Sequence, residues 1–241
     1  MKRVVAEKRG GPPVIEQHNA TGRVSFWEHG DHHSVADANG VSLADYIHAM
    51  FGFLRQAKAR HVLMIGAGGG TLATMLHRVG VRVTMVDINP LAFEVARRYF
   101  NLPDAVECHV ADGVAFVRRS PVRYDAIVVD AYTKQTMPKV FLRPSFFALA
   151  KSRLRPHGLV LMNLLVTDDD DRAPDRIVRS LQKTWRHARL LDVDGWDDRN
   201  AVAVAGNVTK LKRPKLLMRP ARGAKKLASL LKDLDFRALR A

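Results

Sequence analysis

The chain has 241 residues, of which 47% are hydrophobic; this is enough to bury the core of one large domain and excludes a disordered protein. Its single cysteine, Cys108, excludes an internal disulfide and favours a reducing, cytoplasmic location. The longest apolar run near a predicted strand, 159–166, is far shorter than the roughly 20 residues that cross a bilayer, so no membrane span is predicted.

The net charge of +15 is concentrated at the two ends of the chain. Residues 207–241 contain eleven Lys or Arg and two Asp, a charge of +9, and residues 1–10 carry a charge of +3. The rest of the chain therefore carries only +3. Any contact with a polyanion, such as a nucleic acid, is expected at the ends.

The first 56 residues predict a small β appendage that leads into a helix. Two short strands are predicted over 22–30 and 33–42, with Asn39-Gly40 as a turn signal. The helix is predicted over 43–57.

A histidine cluster in this appendage raises the question of a metal site. His29, His32 and His33 lie close together with two acids within 28–33. Their spacing matches no defined metal site, and a polar turn between two strands explains the cluster. No metal is predicted.

Residues 57–206 alternate short branched-apolar runs with segments of helical spacing, which predicts an α/β fold with a doubly wound, mostly parallel sheet. The predicted strands are 61–65, 82–86, 105–110, 124–129, 158–166, 189–193 and 200–205. The predicted helices are 71–79, 90–100, 113–119, 144–154 and 174–188, and the second and fourth begin with Pro.

The remaining residues, 207–241, form a basic tail. Five leucines in it are spaced for one apolar face of a helix over 223–240: Leu227, Leu230, Leu231, Leu234 and Leu239. We expect a packed or solvated amphipathic helix; the alternative is contact with a nucleic acid or a membrane surface. The predicted domains are thus 1–56, 57–206 and 207–241.

Gly66, Gly68 and Gly70 lie where the first strand of the α/β region turns into its first helix. Glycines let the backbone approach a ligand closely, and the helix N-terminus offers free N–H groups. The sixth position of a dinucleotide G-x-G-x-x-G motif is Thr71, so the motif is incomplete. A ligand smaller than a dinucleotide is favoured.

Three carboxylates follow the next three strands. Asp87 lies twenty-one residues after Gly66, a spacing that suits a carboxylate on both hydroxyls of a ribose. Asp112 is placed to bind an adenine edge, and Asp130 closes the fourth strand. A helix N-cap is the alternative for Asp87 and Asp112. Ligands of open α/β sheets bind outside the carboxyl ends of the strands, so all of these residues are expected at one edge.

This ordered set resembles the class I S-adenosylmethionine-dependent methyltransferase fold over roughly 58–206. The closer resemblance is to the spermidine synthase-like family, the polyamine aminopropyltransferases and their methyltransferase-like relatives. The motifs that support it are VLMIGAGGGTLATMLHR, VTMVDINPLAFEVARRYF, VADGVAFVRR, YDAIVVDAYT and FLRPSFFALAKSRLRPHGLVLMN. The preceding NGVSLADYIHAM also looks like the lead-in segment of that family.

The resemblance implies a Rossmann-like methyltransferase sheet that binds S-adenosylmethionine or its decarboxylated form. Gly66, Gly68 and Gly70 would surround the methionine-like part, and Asp87, followed by Ile88, would hold the ribose. Asp112 with Gly113 would hold the adenine, and Asp130 would lie near the sulfonium and amine end. A homodimer is also compatible with the resemblance.

Two positions depart from the pattern of the true synthases. Thr133 stands where those enzymes carry a second acid, and Gly69 stands where their glycine turn carries one. Asp130 and Tyr132 are therefore the catalytic candidates, because they are best placed to orient an acceptor. Tyr46 and His48 are possible contributors from the lead-in helix, although packing is the favoured role for His48.

Three hypotheses follow. The first is a transferase that moves a methyl or aminopropyl group to an unidentified acceptor. The second is an authentic spermidine synthase in which an acid of 168–171 fills the missing role, although those acids are better explained by the start of a helix. The third is a non-catalytic nucleoside-binding protein whose basic tail binds nucleic acid.

Overall fold

The computed structural model describes residues 2–5, 14–28, 31–133 and 135–240. The strands are β1 (Lys2–Val5), β2 (Val14–His18), β3 (Arg23–Glu28), β4 (Asp31–Ala36), β5 (His61–Ile65), β6 (Arg82–Asp87), β7 (Glu107–Val110), β8 (Tyr124–Val129), β9 (Leu154–Val166), β10 (Ala188–Asp192), β11 (Arg199–Gly206) and β12 (Asp235–Arg237). The helices are α1 (Asp45–Gln56), α2 (Thr71–Arg78), α3 (Pro90–Phe100), α4 (Gly113–Arg119), α5 (Pro144–Ser152), α6 (Ala173–Gln182) and α7 (Ala224–Asp233), with a 3₁₀ turn over Lys139–Leu142.

The N-terminal β appendage is an antiparallel sheet in the order β1-β2-β3-β4. The two predicted strands correspond to β3 and β4, while β1 and β2 were not predicted. The second prediction was wrong at its end, since β4 ends at Ala36 and not at residue 42. The Asn39-Gly40 turn follows β4 and leads back toward α1. There the carboxylate of Asp37 accepts hydrogen bonds from the amides of Asn39 and Val41, both at 2.9 Å.

The main sheet has eight strands in the order β12-β10-β11-β9-β8-β5-β6-β7. The strands β7, β6, β5, β8 and β9 are parallel neighbours, whereas β11 runs antiparallel to both β9 and β10. This confirms the predicted α/β class and its mostly parallel sheet. The chain order reverses between β5 and β8, which makes this the switch point where such sheets bind ligands.

Helices cover both faces of the main sheet, as a doubly wound fold requires. Alternate residues of one strand enter different cores, because successive side chains of a strand point to opposite faces. Ala126 and Val128 of β8 pack on the side of α1, α2 and α3, whereas Ile127 and Val129 pack on the side of α5 and α6. Within the described residues, no helix is long and apolar enough to cross a membrane.

The predicted tail helix is too long by about two turns at its C-terminal end, where this prediction was wrong. The helix α7 ends at Asp233, and the chain then extends as β12 along the edge strand β10. Phe236 stacks on Phe53 at 5.4 Å between ring centroids, and Arg237 pairs with the buried Asp175. These contacts favour an extended backbone, so Leu239 lies beyond the helix that it was expected to continue.

The tail packs against the main sheet. Leu227, Leu231 and Leu234 are each at most 3% exposed, and Leu231 and Leu234 belong to the same core cluster as α1. Two further predictions were wrong at their ends, since α6 ends at Gln182 and β9 begins at Leu154, before the predicted strand. The division of the chain at residues 56 and 206 stays a prediction.

Candidate functional site

The glycine turn between β5 and α2 is shaped by a close backbone contact. A Cβ atom on Gly66 would lie 2.1 Å from the carbonyl oxygen of Asp130, and its φ of +95° is one that side chains disfavour. The Gly66 amide donates to the carbonyl of Val86 at 2.9 Å. The turn thus joins the ends of β5, β6 and β8, and Gly66 allows the strands to meet there.

Asp87 closes β6 and faces this turn. Its Oδ2 accepts a hydrogen bond from the Ala67 amide at 2.7 Å, and its Oδ1 accepts one from the Asn89 amide at 2.8 Å. The N-cap of α3 is Asn89, whose side chain accepts from the Leu91 amide at 3.1 Å. The N-cap alternative for Asp87 is therefore not what the structure shows. Each carboxylate oxygen still has a second acceptor direction.

Asp112 has the capping role that was the alternative for it. It is the N-cap of α4, and its Oδ1 accepts from the Ala115 amide at 2.7 Å. Its neighbour Gly113 has no space for a side chain, because a Cβ atom there would lie 2.6 Å from Cγ2 of Ile65. The cap and a ligand contact are compatible, since the other carboxylate oxygen remains.

A cavity of about 620 Å³ opens at this edge of the sheet. Its walls include eight of the predicted residues: Gly66, Gly68, Asp87, Ile88, Asp112, Gly113, Asp130 and Tyr132. Gly70 is not in the wall; it is the N-cap of α2 and faces Ala96 and Leu102. Ile88 lines the cavity although it is 74% exposed, so an apolar side chain there lacks a cover.

Asp130 is held by two side chains from other elements. Its Oδ1 accepts from the amide of Asn163 at 2.8 Å, and its Oδ2 accepts from the hydroxyl of Tyr46 at 3.4 Å. Burial raises the pKa of the Asp130 carboxyl, although these two hydrogen bonds and the nearby His33 act in the opposite direction. Burial also raises the pKa of Tyr46, so its hydroxyl is protonated at neutral pH.

Tyr132 lines the cavity, and its hydroxyl is already hydrogen-bonded within the protein. The hydroxyl donates to the carbonyl of Asn163 at 2.7 Å and accepts from the amide of Leu165 at 3.1 Å. Burial raises the pKa of the Tyr132 hydroxyl, and the negative charge of Asp130 raises it further. The geometry indicates that Tyr132 joins the segment after β8 to β9.

Two other candidates lie away from the cavity. His48 is fully buried, does not line the cavity and donates from Nε2 to the carbonyl of Ser42 at 2.8 Å, which agrees with the expected packing role. The acids of 168–171 are also outside the cavity wall. Asp169, for example, accepts from the Gly195 amide at 2.8 Å and pairs with Arg199 at 3.0 Å.

Sequence reasoning missed that the β appendage forms part of the cavity. Phe26, His32, His33, Ser34 and Val35 of β3 and β4 all contribute to its wall. The sequence signal in this region was the cluster of His29, His32 and His33, which raised the question of a metal site. No group of three or more His, Cys, Asp or Glu that could hold a metal occurs among the described residues, and His29 lies outside them.

Ser34 lies beside Gly69 in the glycine turn, one of the two positions at which the sequence departs from the synthase pattern. Its Oγ accepts from the Gly69 amide at 2.8 Å and donates to the carbonyl of His33 at 2.7 Å. A Cβ atom on Gly69 would lie 2.9 Å from both Cβ of Ser34 and Cδ1 of Phe100. A side chain at position 69 therefore has no room. Thr133, the other departure, lines the cavity and is exposed.

Comparison with known proteins finds sequence relatives with different activities in their names. The eEF1A lysine and N-terminal methyltransferase homolog of Drosophila pseudoobscura pseudoobscura is 31% identical over 166 residues, 64% of this chain and 24% of that protein. The polyamine aminopropyltransferase of Chromobacterium violaceum is 36% identical over 125 residues, 49% of this chain and 48% of that protein. The chain thus spans about a quarter of the first relative and about half of the second.

The fold is similar to a solved structure of a probable spermidine synthase from Corynebacterium glutamicum ATCC 13032. The TM-score is 0.75 at 17% identity, over 97% of this chain and 90% of that chain. A model of the spermine/spermidine synthase domain matches residues 45–168, just over half of the chain. The predicted resemblance is confirmed, and the chain belongs to the spermine/spermidine synthase domain family.

Proposed function

We propose that this chain is a transferase that takes a methyl or aminopropyl group from an S-adenosyl donor. The observation that carries this function is the position of Asp87, which the Ala67 amide fixes at the wall of the cavity. A carboxylate at the end of this strand, beside a glycine turn, suits the two hydroxyls of a ribose. Membership of the family supports the same function.

The rest of the cavity fits such a donor. Asp112 and the exposed Ile88 lie on the β6 and β7 side, where an adenine would cover the apolar side chain of Ile88. Gly66 and Gly68 keep the turn free of side chains beside the remainder of the donor. The volume of about 620 Å³ is within the range of roughly 300–1,000 Å³ that small-molecule pockets have.

The reaction requires little beyond positioning. A sulfonium donor supplies an activated carbon, so the protein has to align the nucleophile and, where this is protonated, accept its proton. Asp130, whose pKa burial raises, is a better proton acceptor than an ordinary carboxylate. The protonated hydroxyl of Tyr46 donates to it and fixes its direction. Asp130 is thus the proposed catalytic residue, and Tyr132 supports the wall.

Methyl transfer is the form that the site supports better. A polyamine acceptor and an aminopropyl donor both carry ammonium groups, which gain from buried counter-charges. Positions 69 and 133 carry Gly and Thr instead of the two acids that would supply such charges. The acids of 168–171 lie outside the cavity wall. An amine of a protein is one acceptor class to test, because the Drosophila relative is named for lysine and N-terminal methylation.

Aminopropyl transfer is the second candidate. The 36% identity with the Chromobacterium aminopropyltransferase favours it. The idea that an acid of 168–171 replaces the missing one loses support, since these acids are engaged with backbone amides and arginines. A nucleoside-binding protein without turnover is the third alternative.

We also propose a cytoplasmic location, supported by the single free Cys108.

A nucleic-acid contact would use the exposed Lys225, Lys226 and Lys232 of α7. Binding to a single-stranded RNA at several salt concentrations, with these lysines changed to glutamate, tests this contact. A salt slope that the triple variant leaves unchanged would exclude α7 as the contact. Sedimentation velocity of the full chain tests whether it forms a homodimer, because a dimer has twice the mass of the monomer.

Calorimetric titration tests the proposed function directly. The ligands are S-adenosylmethionine, decarboxylated S-adenosylmethionine and methylthioadenosine. Binding of at least one donor and of methylthioadenosine is expected, with S-adenosylmethionine preferred if methyl transfer is correct. Preference for the decarboxylated donor would support aminopropyl transfer instead, and no binding of any of the three would refute the donor site.

A further inference from the structure

The strand β4 carries a β-bulge at the cavity. Phe26 pairs with Ser34 and the next residue of β3, Trp27, pairs with His32, so His33 is the additional residue of β4. A bulge bends the strand and changes the direction of a side chain, and bulges are frequent next to active sites. His33 lines the cavity.

The position of His33 is fixed from two sides. Its ring lies 5.5 Å from the ring of Phe26, which is 2% exposed and therefore held by the core. Its carbonyl accepts from the hydroxyl of Ser34, and the same Ser34 oxygen accepts from the Gly69 amide. This chain of hydrogen bonds fastens the bulge to the glycine turn. No described residue forms a hydrogen bond with the ring nitrogens of His33.

The sheet order shows which part of a donor His33 would meet. Asp87 and Asp112 follow β6 and β7 on one side of β5, whereas Asp130 follows β8 on the other side. His33 is close enough to Asp130 for its charge to affect that carboxyl. A nucleoside held by Asp87 and Asp112 would thus lie toward β6 and β7, and His33 would lie at the end that holds the rest of the donor.

This end of the cavity has Asp130 as the acid in its wall, and position 69 adds no second one. Gly69 has no side chain, and Ser34 and Phe100 leave no room for one. The imidazole of His33 carries at least one N–H donor in its neutral form and two when it is protonated. These N–H groups can donate charge-assisted hydrogen bonds to a carboxylate, whereas an ammonium group has no acceptor for them.

We propose that His33 binds the carboxylate at the methionine end of S-adenosylmethionine and selects this donor over its decarboxylated form. The inference depends on the proposed function, since it names the donor that the same cavity binds. It assigns to the β appendage a direct part in donor recognition. It also gives a reason for the bulge, which places His33 in the cavity wall.

Calorimetry with the three adenosine ligands tests this role in the full chain. Wild type is expected to bind S-adenosylmethionine at least about tenfold more tightly than the decarboxylated donor. His33→Ala is expected to lower the affinity for S-adenosylmethionine about tenfold and to leave the affinities for the decarboxylated donor and methylthioadenosine within about twofold. His33→Gln, which retains an N–H donor, should restore part of the loss.

His77→Ala is the matched control, because His77 lies at the end of α2 outside the cavity wall. It should bind all three ligands as wild type does. The proposal would be overturned if His33→Ala lost equal affinity for both donors, or if wild type bound both donors with equal affinity. In either case, binding of methylthioadenosine would still support the donor site. Wild type that binds none of the three would refute the proposed function itself. Melting curves of both His33 variants show whether they are folded.

Discussion

The hydroxyl of Tyr132 donates to the carbonyl of Asn163 at 2.7 Å and also accepts from the amide of Leu165, so one side chain joins two residues of β9. Tyr132→Phe removes both hydrogen bonds without a change of ring size. We expect the free energy of unfolding to fall by about 1–2 kcal/mol, because two backbone groups lose their partner. Urea titration measures this change.

The donor affinity of Tyr132→Phe distinguishes a structural role of this hydroxyl from a catalytic one. If the role of Tyr132 is structural, Tyr132→Phe should bind S-adenosylmethionine within about twofold of wild type. A large loss of turnover with unchanged stability would instead support the catalytic role that the sequence predicted. Tyr99→Phe is a suitable control, since Tyr99 lies on α3 outside the cavity wall.

Asp87 is expected to bind the ribose, and Asp87→Ala should lower donor affinity at least about tenfold. The same change also leaves the amides of Ala67 and Asn89 without their partner, so a loss alone does not identify the ribose contact. A double-mutant cycle separates the two effects. The second change in the cycle is made in the ligand, by comparing methylthioadenosine with its 2′-deoxy analogue.

Wild type should bind the deoxy analogue more weakly by about 1–3 kcal/mol, and Asp87→Ala should bind both ligands alike. Equal discrimination by the two proteins would show that another group holds the hydroxyl. Asp104→Ala, at an exposed carboxylate, controls for a general loss of negative charge.

The strands of the parallel part of the main sheet and the acids at its edge could be predicted because both depend on local sequence. A buried parallel strand is a continuous apolar run, and the residue that ends the run is the one at the ligand edge. Asp87, Asp112 and Asp130 were placed correctly in the cavity wall for this reason. Their binding roles remain predictions.

The part played by the β appendage depends on contacts that local sequence does not encode. The bulge at His33 appears only when β3 and β4 pair, and Ser34 meets Gly69, thirty-five residues later, only in the folded chain. The same holds for β12. Leucine spacing predicted a longer helix, but pairing with β10 and the buried Asp175 determine where the helix ends.

Gly69 is expected to resist substitution. Gly69→Ala places a Cβ atom 2.9 Å from Ser34 and Phe100, and overpacking of this kind costs about 1–3 kcal/mol of unfolding free energy. The double variant Gly69→Ala with Ser34→Gly removes one of the two contacts and should recover part of the loss. Thermal unfolding of the single and double variants measures the coupling. Full tolerance of Gly69→Ala would show that β4 can move away from the turn.

The final prediction concerns the buried ion pairs that fix the tail. Arg237 donates to both oxygens of Asp175, at 2.8 and 2.9 Å, and to Asp192 at 2.8 Å. Burial alone would raise the pKa of both carboxyls, but hydrogen bonds from Arg237 and, at Asp192, from Arg199 more than offset it, so both pKa values are lowered. Their contribution to stability is therefore present above the unfolded pKa of about 3.9 and is lost as the pH falls through the lower folded values.

Arg237→Met leaves these two buried carboxylates with fewer partners, so it should cost about 3–5 kcal/mol of unfolding free energy at pH 7. In the variant, burial is less well compensated and the pKa values rise, so acid relieves the penalty by protonating the carboxyls. The difference between wild type and variant should therefore shrink as the pH falls below about 5. Urea unfolding at several pH values measures it, and Arg222→Met, at an exposed arginine of the tail, is the control. A difference that stays constant with pH would show that Arg237 acts through packing, because lost packing does not depend on the protonation of Asp175 and Asp192.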